Sequence, residues 1–272
     1  MRAAIGDAEL GAFLDHIYAS YHYDFREYAE ASLRRRLAAA LVHFAASSLD
    51  QLTARMGRQP ALFTELLHFL TVQVSDMFRD PLYFRALREH VLPYLRTYAS
   101  LKLWVAGCAT GEEAYSLAIL LDEEGLLDRS LIYATDINPD SLRAAQSGVY
   151  DTDRLPKFSE NHRLSGGRTS LADYYSAAYG GALFSQRLKK SIVFADHSLA
   201  TDSAFAEMQF VSCRNVLIYF DKPLQERALG VLRDSLARKC FLGLGIKETL
   251  RFTNVAPAFV ELVPEARIYQ KL

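Results

Sequence analysis

One short stretch of sequence is the strongest indicator of the fold. It reads Val105-Ala106-Gly107-Cys108-Ala109-Thr110-Gly111-Glu112-Glu113. It lies between a strand-like apolar run, residues 101–107, and a segment with helical spacing, residues 112–124. Glycines in such a turn let the backbone pass tightly from strand to helix and approach a ligand closely. The next strand-like run, residues 131–135, is followed by Asp136, an acid that can accept hydrogen bonds from both hydroxyls of a ribose. The pattern therefore predicts a nucleoside-binding β-α-β unit.

The spacing and charge of the turn argue against a bound dinucleotide. Gly107 and Gly111 give G-x-x-x-G and lack the third glycine of the dinucleotide motif. Glu112 and Glu113 also place negative charge where a pyrophosphate would need the positive end of a helix. A cationic ligand suits this turn better, while an NAD-dependent oxidoreductase and a purely structural turn remain as alternatives.

Downstream of residue 100, short apolar runs alternate with helical segments, which is typical of a parallel sheet covered by helices. Two short runs at the end, 258–263 and 267–272, leave no room for a crossover helix and predict an antiparallel hairpin at a sheet edge. The alternation fails between residues 150 and 191, where Gly and Tyr favour an inserted loop or small β-hairpin over a helix. The remaining predicted elements are strands at 192–195, 209–213 and 240–245 and helices at 139–146 and 223–239.

Upstream of residue 98 the apolar spacing is helical, as in the stripe Leu33, Leu37 and Leu41. We therefore predict three parts. Residues 1–75 form a helical N-terminal domain, and residues 76–100 form a connecting segment. Residues 101–272 form the α/β domain, with an insertion at about 155–190.

The composition is that of a soluble globular protein. The 272 residues are 50% hydrophobic and carry 31 Lys and Arg against 32 Asp and Glu, which argues against a chain that coats nucleic acid. Three widely separated cysteines support neither a disulfide framework nor a zinc site, and we expect no bound metal. Residues 1–10 lack the apolar core of a signal peptide, and no run elsewhere reaches the roughly 18 apolar residues of a membrane span. We expect a cytoplasmic protein that does not insert into a membrane.

Four strings, taken together, resemble the CheR family. They are Met77-Phe78-Arg79-Asp80-Pro81, GCATGEEAYS at 107–116, Ala134-Thr135-Asp136-Ile137 and CRNVLIYF at 213–220. Members of this family are S-adenosylmethionine-dependent protein-glutamate O-methyltransferases that modify chemotaxis receptors. The resemblance runs in order from about Leu33 to the C-terminus. It implies an all-α N-terminal domain and a class I (Rossmann-like) α/β methyltransferase sheet with a C-terminal antiparallel hairpin and a small inserted β-subdomain.

The resemblance also implies a set of functional residues. Arg79 and Tyr219 are the implied catalytic residues, with Tyr219 orienting the methyl group or the incoming carboxylate. Arg79 either holds the methionyl carboxylate of the cofactor or assists the substrate. The implied cofactor-binding residues are Gln73, Ser75, Arg79, Glu113, Asp136, Ser198, Leu199, Arg214 and Asn215.

The chain departs from the family pattern at three of its motifs. Gln73 and Ser198 each stand where the family has Asn, and Lys247 stands where it has Ser. Arg36 falls on the helix that faces the receptor in the family, so it is either a docking residue or part of a solvated basic face. His162 and His197 have no metal-ligand spacing around them and are interpreted as loop histidines.

The resulting prediction is transfer of a methyl group from S-adenosylmethionine to glutamate carboxylates, with S-adenosylhomocysteine as the product. The implied partner is a methyl-accepting chemotaxis receptor or a similar acidic coiled-coil signalling protein, without nucleic acid. The alternative is a regulatory module that binds S-adenosylmethionine or its demethylated product but has weakened catalysis.

Overall fold

A computed structural model of the chain describes residues 5–73 and 75–272. The interpretation of residues 1–10 as a segment without a signal peptide falls partly on residues 1–4, which lie outside the described residues. Val74, in the connecting stretch, is also outside them. No helix of the described part is both long enough and apolar enough to cross a membrane.

The N-terminal part is helical, as predicted. Its described helices are α1 (Asp7–Tyr21), α2 (Glu30–His43), α3 (Leu49–Arg58) and α4 (Ala61–Leu70). Apolar side chains at helical spacing bury one face of each helix, for example Leu33 and Leu37 on α2. These faces meet in one hydrophobic core, against which Tyr28 and Ile137 also pack. Because Ile137 follows a strand of the sheet, this packing joins the helical part to the α/β part.

The connecting stretch contains helical structure that packs on the sheet. It consists of α5 (Pro81–Ala86), a π-helical turn (Leu87–Val91) and α6 (Leu92–Leu95). Phe84 and Leu95 are fully buried in the larger of the two cores of the α/β part. The stretch is thus part of the packed structure rather than a free linker.

Within the described residues, seven strands form one sheet in the order β6-β2-β1-β7-β8-β10-β9. Neighbours from β6 to β8 run parallel, and β10 pairs antiparallel with both β8 and β9. The strands are β1 (Leu101–Ala106), β2 (Ser130–Asp136), β6 (Ile192–Asp196), β7 (Met208–Cys213), β8 (Leu236–Leu244), β9 (Phe259–Val263) and β10 (Ile268–Lys271). This confirms the predicted fold class, including the antiparallel hairpin at the sheet edge.

Helices cover both faces of the sheet, as alternating strands and helices require. α7 (Glu112–Glu123) packs on the larger apolar cluster and α11 (Lys222–Ser235) on the other. α8 (Pro139–Ser147) follows β2, and the side chain of Asn138 caps it by accepting hydrogen bonds from its first backbone N–H groups.

A second sheet of three short antiparallel strands lies between α8 and β6. It has the order β3-β5-β4, with β3 (Val149–Asp151), β4 (Tyr175–Ala178) and β5 (Gly181–Phe184). This sheet confirms the predicted small inserted β-subdomain, and β4 and β5 form a hairpin. The preference for a loop or hairpin over a helix is wrong for the flanking parts of 150–191, because α9 (Leu155–Leu164) and α10 (Gln186–Lys190) lie there. Leu155, Phe158 and His162 form the buried stripe of α9, a helical spacing that the glycines and tyrosines nearby obscured.

The predicted boundary between the last helix and β8 is also wrong. The helix was expected to run to residue 239, but it ends at Ser235 and the strand begins at Leu236. Leu236 lies opposite Met208 in the parallel ladder with β7. Pairing in the sheet therefore overrides a local sequence that is compatible with a helix.

Candidate active site

A cavity opens at the carboxyl ends of β1, β2, β6 and β7, where the helical part closes over the sheet. It holds about 910 Å³ of space free of protein atoms, including its open mouth. Gly107, Asp136 and Arg214 line it from the strand ends, and Tyr28 and Arg36 line it from the helical part. Open α/β sheets bind ligands outside the carboxyl ends of their strands, so the cavity is the candidate active site.

Two glycines form the turn at the end of β1. Gly107 has φ 75°, and a Cβ there would overlap the side chain of Val216. Gly111 has φ 92°, and a Cβ there would lie 2.8 Å from the Cβ of Ala145. Both positions need glycine for conformation and for space, which explains the motif that the sequence analysis started from.

Asp136, at the end of β2, is anchored by backbone donors. Its Oδ2 accepts from the N–H of Ala109 and its Oδ1 from the N–H of Asn138, each at 2.9 Å. Burial raises the pKa of Asp136, and the backbone N–H bonds oppose that rise. A carboxylate has about four lone-pair sites, so each oxygen keeps room for a further donor such as a sugar hydroxyl.

Glu113 and Arg214 lie in a buried charge network beside the cavity. The Nη1 of Arg214 lies 2.8 Å from Oε2 of Glu113, and its Nη2 lies 2.7 Å from Oδ2 of Asp80. Ser212 donates its hydroxyl to the other Glu113 oxygen at 2.6 Å. The guanidinium also stacks 4.1 Å from the ring centre of Tyr83. Of the two carboxylates, Glu113 is the one that lines the cavity.

Glu112 does not act together with Glu113. It is fully buried and faces the other way, where its carboxylate accepts from Arg154 at 2.8 Å and from the Thr110 hydroxyl at 2.7 Å. Burial raises its pKa. The adjacent acids in the sequence therefore form two separate networks, and only Glu113 lines the cavity.

Arg79 lies between two residues in the left-handed backbone conformation. Phe78 has φ 50° and Asp80 has φ 56°. The N–H of Phe78 donates to the hydroxyl of Ser116 at 2.8 Å, and the carbonyl of Arg79 accepts from Arg214 at 2.8 Å. These bonds fix the backbone of a segment that presents the Arg79 side chain to the cavity.

A buried carboxylate, Glu248, holds the turn after β7 in place. Its Oε2 accepts from the N–H groups of Asn215 at 2.9 Å and Gly245 at 2.7 Å. Its Oε1 accepts from Val216 at 2.9 Å and Ile218 at 3.3 Å. Burial raises the pKa of Glu248, and the four N–H donors oppose that rise. The sequence motif drew attention to the neighbouring Lys247 and indicated no role for Glu248.

Replacing Glu248 by Gln tests this arrangement. The amide offers one acceptor oxygen and turns an NH2 toward backbone donors, so two N–H groups lose their partner. We expect the free energy of unfolding in urea to fall by about 2–4 kcal/mol. Glu265→Gln, at an exposed carboxylate, is the control and should change it by no more than about 0.5 kcal/mol. Equal effects of the two substitutions would show that Glu248 does not hold the turn.

Tyr219 links this turn to the helical part. Its ring lies under the guanidinium of Arg36, 4.6 Å from the ring centre, and its carbonyl accepts from the N–H of Ala29 at 2.8 Å. The neighbouring residue Phe220 forms an isolated antiparallel bridge with Tyr28. The helical part therefore positions the predicted catalytic tyrosine. Sequence spacing alone did not reveal this contact.

Most of the predicted site residues come together in the cavity, but two do not. Ser75, Leu199 and Asn215 join Arg79, Glu113, Asp136, Arg214 and Tyr219 on its wall. Gln73 is not on the wall, and its amide nitrogen lies 2.7 Å from Nδ1 of His68. Ser198 is also absent from the wall, and its N–H donates to Asp202 at 2.9 Å. These are two of the positions at which the chain departs from the family pattern.

Two side chains lie in the cavity that the sequence did not place there, and a third, His162, was interpreted wrongly. Arg36 lies in the cavity, where its Nη1 donates to the Leu70 carbonyl at 2.7 Å. His197 is 8% exposed and lines the same cavity. His162 is not a loop histidine, because it lies buried on α9, 3.0 Å from Glu123. The position of His197 directly after a strand end could have flagged it, since that edge of the sheet carries the site.

Comparison with known families assigns both parts of the chain. Residues 73–262 match the family described as CheR methyltransferase, SAM binding domain. Residues 8–71 match the family described as CheR methyltransferase, all-alpha domain. The chain belongs to the CheR methyltransferase family. The resemblance inferred from the four sequence strings is thereby confirmed.

Relatives of this CheR methyltransferase align over most of its length. Cher3 of Pseudomonas putida is 51% identical over 265 residues, which is 97% of each chain. The chemotaxis protein methyltransferase of Listeria monocytogenes is 29% identical over 229 residues, which is 84% of each chain. Chemotaxis protein methyltransferase 2 of Pseudomonas aeruginosa is 32% identical over 186 residues, covering 67% of this chain and 65% of its own.

S-adenosylmethionine is the cofactor of this CheR methyltransferase. The chemistry of the cavity fits it. Asp136 offers acceptors for two ribose hydroxyls, and both Asp136 and Glu113 place a carboxylate on the wall that a sulfonium would face.

Proposed function

We propose that this protein methylates glutamate side-chain carboxylates of a chemoreceptor or receptor-like signalling protein. The observation that carries the proposal is the pair of arginines, Arg36 and Arg79, that line the cavity together with Tyr219. Within residues 5–73 and 75–272, the guanidinium of Arg36 contacts a carbonyl oxygen and the Tyr219 ring and forms no ion pair with a carboxylate. An anionic acceptor that enters the cavity therefore meets positive charge beside the predicted catalytic tyrosine.

The reaction requires the two reactants to be positioned and does not require a general base. When bound, S-adenosylmethionine supplies a methyl group on a positively charged sulfur. A glutamate carboxylate is already ionised near pH 7 and needs no proton removed. Arg79 and Arg36 would hold this carboxylate, Tyr219 would orient it for in-line attack, and the cavity walls would keep water away.

The names of the relatives support the choice of substrate. Two of them are named chemotaxis protein methyltransferases. A methyl-accepting receptor, or a similar acidic coiled-coil protein, would bring glutamates to the cavity mouth. Arg36 then contributes to substrate binding from inside the site rather than from an outer docking face.

Methyl transfer to receptors tests this function. The full chain is incubated with methyl-labelled S-adenosylmethionine and membranes that carry candidate receptors, and base-labile methyl release is measured. We expect label on at least one receptor, released by base as an ester requires. Binding of the cofactor with no label on any receptor would contradict the proposal.

Tyr219→Phe tests the role of the tyrosine hydroxyl. The substitution keeps the ring that packs under Arg36 and removes only the group that would orient the reactants. We expect kcat to fall about tenfold to hundredfold, as small misplacements of reacting groups do. The Kd for S-adenosylhomocysteine should change less than about threefold, well under one kcal/mol. Tyr175→Phe, on β4 of the small sheet, is the control, and full activity of Tyr219→Phe would refute the assigned role.

A further inference from the structure

The helix α9 of the inserted part contacts a backbone segment that contributes to the cavity wall. This segment, residues 75–79, is called the Arg79 segment below. Arg154, in the turn before α9, donates to the carbonyl of Ser75. Lys157, about one helical turn further on, donates to the carboxylate of Asp76. The first contacts of α9 are therefore polar and begin at the start of the segment.

The contacts continue in order along the helix. Nδ2 of Asn161 donates to the carbonyl of Met77 at 2.9 Å. The ring of His162 then packs against the ring of Phe78, with ring centres 4.8 Å apart, and both side chains are buried. Successive residues of the Arg79 segment thus meet successive positions on one side of α9. The helix supports the segment from its start as far as Phe78.

The backbone of the segment needs such support. Phe78 has φ 50°, a left-handed conformation that is strained for a bulky side chain. Strained conformations of this kind persist only where the surrounding contacts hold them. Asn161 holds the carbonyl of Met77 before the strained residue, and Arg214 holds the carbonyl of Arg79 after it. Without the first of these bonds, Phe78 can relax and move Arg79 away from the cavity.

Asn161 is the contact that can be changed alone. Arg154 also pairs with the fully buried carboxylate of Glu112 at 2.8 Å, so its removal would disturb a buried charge as well as the segment. Asn161 is neutral and half-buried, and its amide donates to the backbone rather than to a charged group. A substitution there removes one bond to the Arg79 segment and leaves the charge network intact.

We propose that Asn161 is a positioning residue for the cofactor site. Its bond to the Met77 carbonyl keeps the Arg79 segment in the conformation that presents Ser75 and Arg79 to the bound cofactor. The inserted part thereby contributes to cofactor affinity, although no residue of α9, which is described throughout, lines the cavity. The proposal rests on contact between this segment and the cofactor and is independent of which protein is methylated.

Asn161→Ala tests the proposal through binding alone. The Kd for S-adenosylhomocysteine is measured by calorimetry on the full chain. Alanine removes the donor but favours the helix, so the melting temperature should stay within about 2 °C of the wild-type value. The segment then holds its binding conformation only part of the time, which raises the Kd by the inverse of that fraction. We expect a rise of about threefold to tenfold, as loss of one hydrogen bond gives.

Glu160→Ala is the matched control. It makes the same replacement at an exposed position of the same helix. The Kd for S-adenosylhomocysteine should stay within about 1.5-fold of the wild-type value. An equal rise in Kd for Asn161→Ala and Glu160→Ala would overturn the proposal, and so would wild-type binding by Asn161→Ala.

A second background shows whether Asn161 acts through the segment. Ser75→Ala combined with Arg79→Ala removes both side chains that the segment adds to the cavity wall. This double variant should weaken binding of S-adenosylhomocysteine at least about tenfold. Adding Asn161→Ala to it should change the Kd by less than about 1.5-fold, because a residue that acts through others has no effect once they are gone.

The remaining outcomes each contradict a different step. Persistence of the full effect of Asn161→Ala in the double variant would mark a general structural role and overturn the proposal. An unchanged Kd for the double variant itself would overturn the contact between the segment and the cofactor, and the proposal with it. Neither result bears on the choice of methyl acceptor, which the receptor-labelling experiment tests separately.

Discussion

Replacing Asp136 by Ala is expected to weaken binding of S-adenosylhomocysteine by about a hundredfold or more. The carboxylate would accept from two ribose hydroxyls, and hydrogen bonds to a charged group contribute about 1.5–3 kcal/mol each. Loss of both amounts to at least about 3 kcal/mol, or roughly a hundredfold in Kd. Calorimetric titration of the variant against the wild type measures the change.

Asp196→Ala is the matched control for this substitution. Asp196 lies opposite Asp136 at the end of the neighbouring strand, but it is exposed and does not line the cavity. Asp196→Ala should leave the Kd for S-adenosylhomocysteine within about twofold of the wild-type value, since exposed side chains outside a site contribute little. Thermal melting of both variants shows whether the fold is intact. An Asp136→Ala variant that melts normally and binds as the wild type does would contradict the assigned ribose contact.

Replacing Arg214 by Leu is expected to lower the free energy of unfolding by about 3–5 kcal/mol. The side chain of Arg214 is 1% exposed and lies within 2.8 Å of Glu113 and 2.7 Å of Asp80. Removing the guanidinium leaves two carboxylates close together with no cation between them. It also removes the bond to the carbonyl of Arg79, so the segment that presents Arg79 is loosened. Urea unfolding followed by circular dichroism measures the loss.

Arg35→Leu is the control, because Arg35 is an exposed arginine on α2. It should change the free energy of unfolding by no more than about 0.5 kcal/mol. The loss of unfolding free energy for Arg214→Lys should lie between those for Arg214→Leu and Arg35→Leu. Lysine keeps the charge but lacks the planar guanidinium that reaches both carboxylates. A loss below about 1 kcal/mol for Arg214→Leu would show that the network does not stabilise the fold.

The architecture could be predicted because its signals are local. The glycine turn at 107–111, the acid at the end of β2 and the short final runs each encode their own geometry. The two errors have different causes, pairing between distant segments in one case and misleading local composition in the other. β8 begins at Leu236 because of its pairing with Met208, and α9 is a helix that the glycines and tyrosines around it obscured.

The site was predictable where its residues lie in contiguous motifs, and less so where side chains meet across the fold. Asp136, Arg79 and Tyr219 were identified from their motifs and line the cavity. The stacking of Arg36 on Tyr219 and the four donors around Glu248 join segments far apart in the chain. Spacing in the sequence carries no signal for such contacts.

Peptide mapping of a labelled receptor by mass spectrometry tests the central claim most directly. A receptor methylated by the wild-type chain is digested, and each modified residue is located, with the Tyr219→Phe reaction run in parallel. The account predicts methyl esters on glutamate side chains, in lower yield with Tyr219→Phe. Methyl groups on lysine, arginine or histidine in place of glutamate, or equal yields from both enzymes, would contradict it.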